Sequence, residues 1–200
     1  MQKIDITQRM KVVDDLIART TNRRHWAILN NYKRHADLEV CGMWEGILEA
    51  DMMVEHPVYK FHSPAGLRVL DGMAEVRAEY IKYASEGSSV MYHTDERITV
   101  ADEGFYTEYM THRFYPGHVL AEQGVKVDKP DAVYLSSNTQ MMFWPYDADA
   151  RCAGERVYRG ADRVIRLADP KEIVTLEECR EKLLPTLPPV ASPHGPDRVL

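Results

Sequence analysis

Several signatures of function are missing from this chain. Its 200 residues include three cysteines, Cys41, Cys152 and Cys179, an odd number and widely spaced. No C-x-x-C pair occurs, so neither a disulfide framework nor a cysteine zinc site is signalled, and reduced thiols are expected. The eight histidines contain no H-x-x-x-H or H-E-x-x-H spacing, and no metal site is predicted. G-x-G-x-x-G, P-loop and G-x-S-x-G motifs are also missing, which argues against nucleotide binding and nucleophile-elbow hydrolysis; no cofactor is expected. Basic runs stop at Arg23 and Arg24 and the formal net charge is −6, so the chain offers no basic face to nucleic acid. Apolar runs fall well short of the roughly 18 residues that cross a bilayer. The opening "MQKIDITQRMKVVDD" holds no apolar signal core, so a cytoplasmic protein without membrane contact is expected.

A hydrophobic fraction of 44% is enough for one substantial core. One domain is expected over 1–184, followed by a Pro-rich tail or arm over 185–200 that is either disordered or laid on a partner. "KVVDDLIART" and "NRRHWAILNNYKRHA" carry apolar residues at helical spacing, with Asn22 as N-cap. Asp37 is read as the cap of a further helix holding Leu38, Cys41, Ile47 and Leu48. A strand then runs from about Met52 to Pro57. "SPAGLRVLDG" is read as a loop, and Asp71 as the cap of the helix "GMAEVRAEYIKYA". "MYHTDERITVA" and "GFYTEYMTHRFY" form a hairpin through "DEG". "AVYLSSNTQMMFWPY" and "RCAGERVYRG" form another through "DADA", each by alternation and β-branched or aromatic content. Short helices are expected near 162–167 and 176–184. Helices, a strand, a helix and then four long strands make an α+β chain with a mostly antiparallel sheet.

The stretches "LEADMMVEHPVYKF", "GMAEVRAEYIKY", "DERITVADEGFYTEYMT" and "MFWPYDADARCAGERVY", in this order, resemble the NTF2-like superfamily, and within it the SnoaL-like and ketosteroid-isomerase-like enzymes. The resemblance spans roughly 22–158. It implies a cone: a strongly curved, mostly antiparallel sheet wrapped around N-terminal helices, with an internal pocket. It also implies a homodimer. In the isomerases an aspartate before a proline moves the proton, and His56 stands at that place in "VEHPV". Tyr32 aligns with their oxyanion tyrosine. Met142 falls where they carry a protonated aspartic acid, so the oxyanion device is incomplete here.

His56 is accordingly read as the general base, since an imidazole titrates near neutral pH. Glu55 is expected to point the other way. Tyr59, three residues on, is read as reaching the same pocket. The strand "GFYTEYMTHRFY" offers two alternating sets, and period alone does not choose between them. The set with Glu108 and His112 gives an acid–base pair and is the reading adopted; the other set would give Tyr109 and Arg113. On the next strand Asn138 and Gln140 are placed to orient a substrate oxygen, with Met142 and Trp144 as an apolar wall.

The expected function is cofactor-independent acid–base chemistry on a small apolar or aromatic molecule, of lyase, dehydratase or isomerase type. One version is carbon–carbon cleavage that releases formaldehyde from an aromatic, lignin-derived diol. The alternatives are epoxide hydrolysis, with Arg113 and Asp95 as its candidates, and a non-catalytic ligand-binding or assembly module whose cavity is plugged by side chains such as Trp44 and Trp144.

Overall fold

The computed structural model describes residues 3–200. Its helices are α1 (Lys11–Arg19), α2 (Arg23–Val40), α3 (Met73–Ser85), α4 (Gly117–Glu122) and α5 (Leu176–Leu183). Its strands are β1 (Met53–Ser63), β2 (Gly66–Asp71), β3 (Met91–Ala101), β4 (Gly104–Pro116), β5 (Val133–Pro145), β6 (Cys152–Arg159) and β7 (Val164–Leu167). One sheet runs in the order β2-β1-β6-β5-β4-β3, with β7 on β5 beyond β6. Only β1 and β6 pair in parallel; the other pairings are antiparallel. The sheet does not close into a barrel.

Its curvature follows from what meets inside it. β1 and β3 are separated by three strands, which in a flat sheet would place them about 19 Å apart. Yet Tyr59 and Phe61 of β1 line the same cavity as Met91 and His93 of β3. Helix α2 fills the concave side and buries Ala27, Ile28, Leu29, Tyr32, His35 and Ala36. Asn22 caps it as expected, its side chain accepting from the His25 N–H. The α+β cone with an internal pocket that the resemblance implies is thus the architecture of this chain.

Several local expectations fail for physical reasons. Asp37 caps nothing: α2 continues past it, and its buried carboxylate takes the Arg9 guanidinium at 2.7 Å. A 3₁₀ turn, Trp44–Ile47, replaces the further helix. The segment after Pro64 is no loop, because Gly66–Asp71 returns as an antiparallel edge strand on β1. Asp71 ends that strand, and Gly72 (φ +99°) takes the N-cap position of α3. Residues 164–167 are a strand, recruited by Tyr134–Ser137 of β5. Helix α4 was unanticipated.

The C-terminal segment crosses the helices of its own chain. Asn31 donates from Nδ2 to the Ala191 carbonyl at 3.0 Å and accepts the Ala191 N–H at 2.8 Å. Arg34 donates to the Pro188 carbonyl, and Arg198 to the carbonyls of Ile17 and Thr20. The Asn31 and Arg34 bonds satisfy backbone groups of the proline-rich segment, and Arg198 satisfies carbonyls at the C-terminal end of α1.

Candidate active site

The concave side of the sheet encloses a cavity of about 590 Å³, within the usual range for a small-molecule site. It is open, not plugged, although Trp144 forms part of its wall. Each element contributes by its own period. Helix α2 presents Tyr32, Ala36 and Glu39 at i, i+4 and i+7, and α3 presents Val76, Tyr80 and Tyr83 in the same way. Strand β6 presents Glu155, Val157 and Arg159, and β5 presents Asn138, Gln140, Met142 and Trp144, each alternately.

Five predicted residues on the strands, Tyr59, Asn138, Gln140, Met142 and Trp144, therefore line the cavity together, and Tyr32 joins them from α2. Tyr32 packs edge-on against Trp144 and 4.3 Å from Phe105, ring centre to ring centre.

His56, Glu108 and His112 do not. Met53 pairs with Cys152 and Val58 with Gly154, so β1 carries extra residues opposite β6 and bulges there. A side chain on Gly154 (φ +135°) would strike the Val58 carbonyl at 2.0 Å, so glycine is needed at that crossing. The bulge breaks the alternation and turns both Glu55 and His56 outward. The His56 imidazole is 70% exposed and sits 2.8 Å from the Asp71 carboxylate.

On β4 the other alternating set faces inward: Phe105, Thr107, Tyr109 and Thr111, with Arg113. Glu108 lies on the convex face, 4.0 Å from Arg97. His112 is hydrogen-bonded there to Thr94 and Ser137 and stacked on Tyr92. The register explains this: Tyr109 stands opposite Gln140 and Thr107 opposite Met142, and directly paired residues share a face. Asp95 is exposed and lies outside the cavity.

Two carboxyls that the sequence reading passed over take their place. Glu39 receives Arg113 Nη2 at 3.4 Å, and both side chains are largely buried, at 11% and 15% exposed. Glu155, on β6, accepts from the Tyr80 hydroxyl at 3.4 Å. Tyr80 is hydrogen-bonded in turn to His35 Nε2 at 2.7 Å and to the Tyr59 hydroxyl at 3.1 Å. The periodic stripes of α2 and β6 were the available signal.

Burial and the neighbouring Glu39 charge push the Glu155 carboxyl well above the ordinary range. Burial also raises Glu39, but the Arg113 charge opposes that shift. Both carboxyls are thus raised, Glu155 the further, and Glu39 is the one with a guanidinium beside it. His35 is held neutral by burial, down to about 3. Burial likewise pushes His93, stacked 3.7 Å from Tyr109, well below its usual value. Arg9 Nε and Nη2, His93 Nε2 and Trp144 Nε1 are buried atoms of cavity-lining side chains without a protein partner among the described residues.

No group of three or more His, Cys, Asp or Glu side chains among the described residues is placed to share a metal ion. None of the described helices is long and apolar enough to cross a membrane.

No protein-family model matches the chain, and neither does any curated protein. Solved structures show distant likeness. A protein of Xanthomonas campestris pv. campestris assigned provisionally as a polyketide cyclase has a TM-score of 0.46 at 15% identity, over 68% of this chain and 93% of that one. An NTF2-like protein of Anabaena variabilis scores 0.45 at 14% identity, over 70% and 92%. The epoxide hydrolase/cyclase-like enzyme SalBIII, which acts in pyran ring formation in the polyether salinomycin, scores 0.45 at 13% identity, over 82% and 98%. At these values the likenesses assign neither activity nor substrate.

Proposed function

We propose that the chain is an acid–base enzyme acting on a small, largely apolar molecule inside the cone, with Glu155 as proton donor and Glu39 as proton acceptor. One observation carries the reading: two carboxyls line one cavity in unlike surroundings, Glu39 against the Arg113 guanidinium and Glu155 against the Tyr80 hydroxyl, and unlike surroundings are how acid and base roles are divided at a single pH. Arg113 keeps Glu39 ionised and directed. Tyr80 holds the Glu155 carboxyl and Tyr59 holds Tyr80, through hydroxyls that burial keeps neutral.

The reaction class is elimination, isomerisation or carbon–carbon cleavage. Glu39 takes a proton from a substrate hydroxyl or carbon acid. The freed electron pair forms the new double bond, directly or by breaking a neighbouring carbon–carbon bond. Glu155 then gives its proton to the departing hydroxyl, which leaves as water. Formaldehyde release from an aromatic diol is one case: the deprotonated alcohol becomes the aldehyde, and the carbon–carbon pair becomes the alkene. Asn138, Gln140 and the unpartnered donors of Arg9 and His93 are suited to hold substrate oxygens, and Trp144 and Met142 to flank a ring.

A second reading is favoured by the same Glu39–Arg113 pair beside Glu155. A water activated by Glu39 attacks an epoxide carbon, and Glu155 protonates the opening oxygen. Turnover of aryl diols, β-hydroxy ketones and aryl epoxides in ¹⁸O-labelled water separates the two. Elimination or cleavage puts no ¹⁸O on the carbons of the new alkene, whereas hydrolysis leaves one ¹⁸O-labelled hydroxyl on the opened epoxide. No turnover of any of the three classes, or turnover that survives both Glu39→Gln and Glu155→Gln, sinks the acid–base reading.

A further inference from the structure

The charges around the cavity do not balance. Of the cationic side chains that line it, Arg9 is paired with Asp37 at 2.7 Å, Arg68 with Glu79 at 2.6 Å, Lys82 with Glu86 at 3.8 Å and Arg113 with Glu39 at 3.4 Å. Arg159 and Arg163 also line it, and neither has a carboxylate partner among the described residues. The remaining lining carboxyl, Glu155, is buried on β6 against the Tyr80 hydroxyl and pairs with neither arginine. Two exposed guanidiniums without a carboxylate partner among the described residues thus stand on the cavity lining of a chain whose formal net charge is −6.

The two arginines are not scattered. Arg159 lies over the Phe61 ring at 5.5 Å, and Arg163 lies 6.0 Å from the Tyr115 ring while its Nε donates to Ser136 Oγ at 2.9 Å. Arg113, inside, sits over the Tyr83 ring at 4.9 Å. Aromatic faces hold the Arg159 and Arg163 guanidiniums in place without consuming their Nη donors, which stay open to a ligand. Asp162, beside Arg163 in sequence, is committed elsewhere: its carboxylate takes the Thr139 N–H at 3.1 Å and the Thr139 hydroxyl at 2.6 Å.

We infer that Arg159 and Arg163 form an anion subsite at the cavity mouth, and that the substrate is an amphiphile with an apolar or aromatic body and a terminal carboxylate. The body enters the cavity toward Trp144 and Met142, and the carboxylate stays at the rim, where desolvating it costs least. A planar carboxylate suits the guanidinium fork, and two positive charges without carboxylate partners concentrate anions at the entrance. The proposal specifies the substrate class of the acid–base reading and rests on it for the location of the site.

The test uses two matched probes, biphenyl-4-carboxylate and biphenyl-4-carboxamide, titrated into the intact chain by calorimetry. The carboxylate is expected to bind at least about tenfold more tightly, with the preference shrinking as salt rises. In the Arg159→Gln/Arg163→Gln double variant the preference should fall below about threefold while carboxamide affinity is unchanged. Equal binding of the two probes, a preference indifferent to the double variant, or no binding of either overturns the subsite. Glu155→Gln should keep the preference. If that variant also keeps full turnover, the acid–base assignment fails and the subsite stands, so the two failures can be told apart.

Discussion

The concave and convex faces of the same strands differ in what they leave unfinished. Inside, β4 and β5 present Tyr109, Thr111, Arg113, Asn138 and Gln140 around buried carboxyls. Outside, the same strands present Tyr106 stacked on Phe143 at 4.4 Å, and Met141 is 55% exposed. On the neighbouring strands Tyr158 stacks on His62 at 4.4 Å, and Leu67 and Val69 stand exposed beyond them. The inner face has polar groups without partners and the outer face has apolar groups without cover. The first is the character of a ligand site and the second of a surface that another protein covers. Burial is what makes a carboxyl on the inner face chemically different from one on the outer face.

The sharpest way to break this comparison is to remove one carboxyl from each face. Glu155→Gln keeps the shape and removes the proton that burial retains, so turnover should fall about 10²–10⁴-fold, the usual share of a positioned acid. Glu108→Gln on the outside should change it less than about twofold. Steady-state rates on the active substrate class decide. Equal losses from the two faces would remove the special standing of Glu155.

Stability against pH sharpens the same contrast. His35 is 1% exposed, and burial lowers its folded value to about 3, well below the unfolded imidazole. Between that value and about 6.5 the unfolded chain binds one proton more than the folded chain, so stability declines as pH falls, by about 1.4 kcal/mol per unit from this group. Glu155 acts in the opposite sense. Its folded value is raised, so the folded chain binds the extra proton above the unfolded carboxyl value, and stability declines as pH rises until the folded value is reached. Urea unfolding across pH should show the His35 slope disappear in a folded His35→Gln variant. The Glu155 slope should disappear in Glu155→Gln.

The outer face leads to a smaller effect that is still measurable. A second copy of the chain is expected to cover the Tyr106, Phe143, Met141 and Tyr158 ledge, giving a symmetric dimer. Met141→Glu should then halve the sedimenting mass at micromolar concentration with little change in unfolding midpoint. A wild-type monomer under those conditions would leave the ledge without that occupant.

How much of this was legible in the sequence depended on whether the local period was left intact. Helix α2, its Asn22 cap and the inward set of β5 follow unbroken 3.6- and 2-residue patterns, so they were readable. Strand β2 was hidden because an edge strand with Leu67 and Val69 exposed looks like a loop. Strand β7 exists only because β5 outruns β6 and offers it an edge. The inward face of β4 depended on its register with β5, across α4 and a loop, which no local pattern encodes. Glu39 and Glu155 did fall on regular stripes, at i+7 from Tyr32 and two before Val157. Their significance came from tertiary burial, which raises both carboxyls, and from Arg113, which pairs with Glu39.

His56 gives the smallest expected effect and the most direct test of the bulge. Its place before Pro57 suggested a base aimed into the pocket, but the extra residues between Met53 and Val58 put it outside, over Gly72, where its ring would lie 3.1 Å from a side chain's first carbon. There it faces Asp71 across 2.8 Å, with both side chains about two-thirds exposed. Polar contacts so open to water contribute little once solvent and salt screen them. His56→Gln should therefore leave turnover within about twofold and shift the unfolding free energy by no more than about 0.5 kcal/mol. The pH–rate profile should keep its shape, because the proposed base and acid are Glu39 and Glu155. A loss beyond about tenfold with the fold intact would mean that the bulge rearranges to carry the imidazole inward when substrate binds, and the base would then be reassigned from Glu39 to His56.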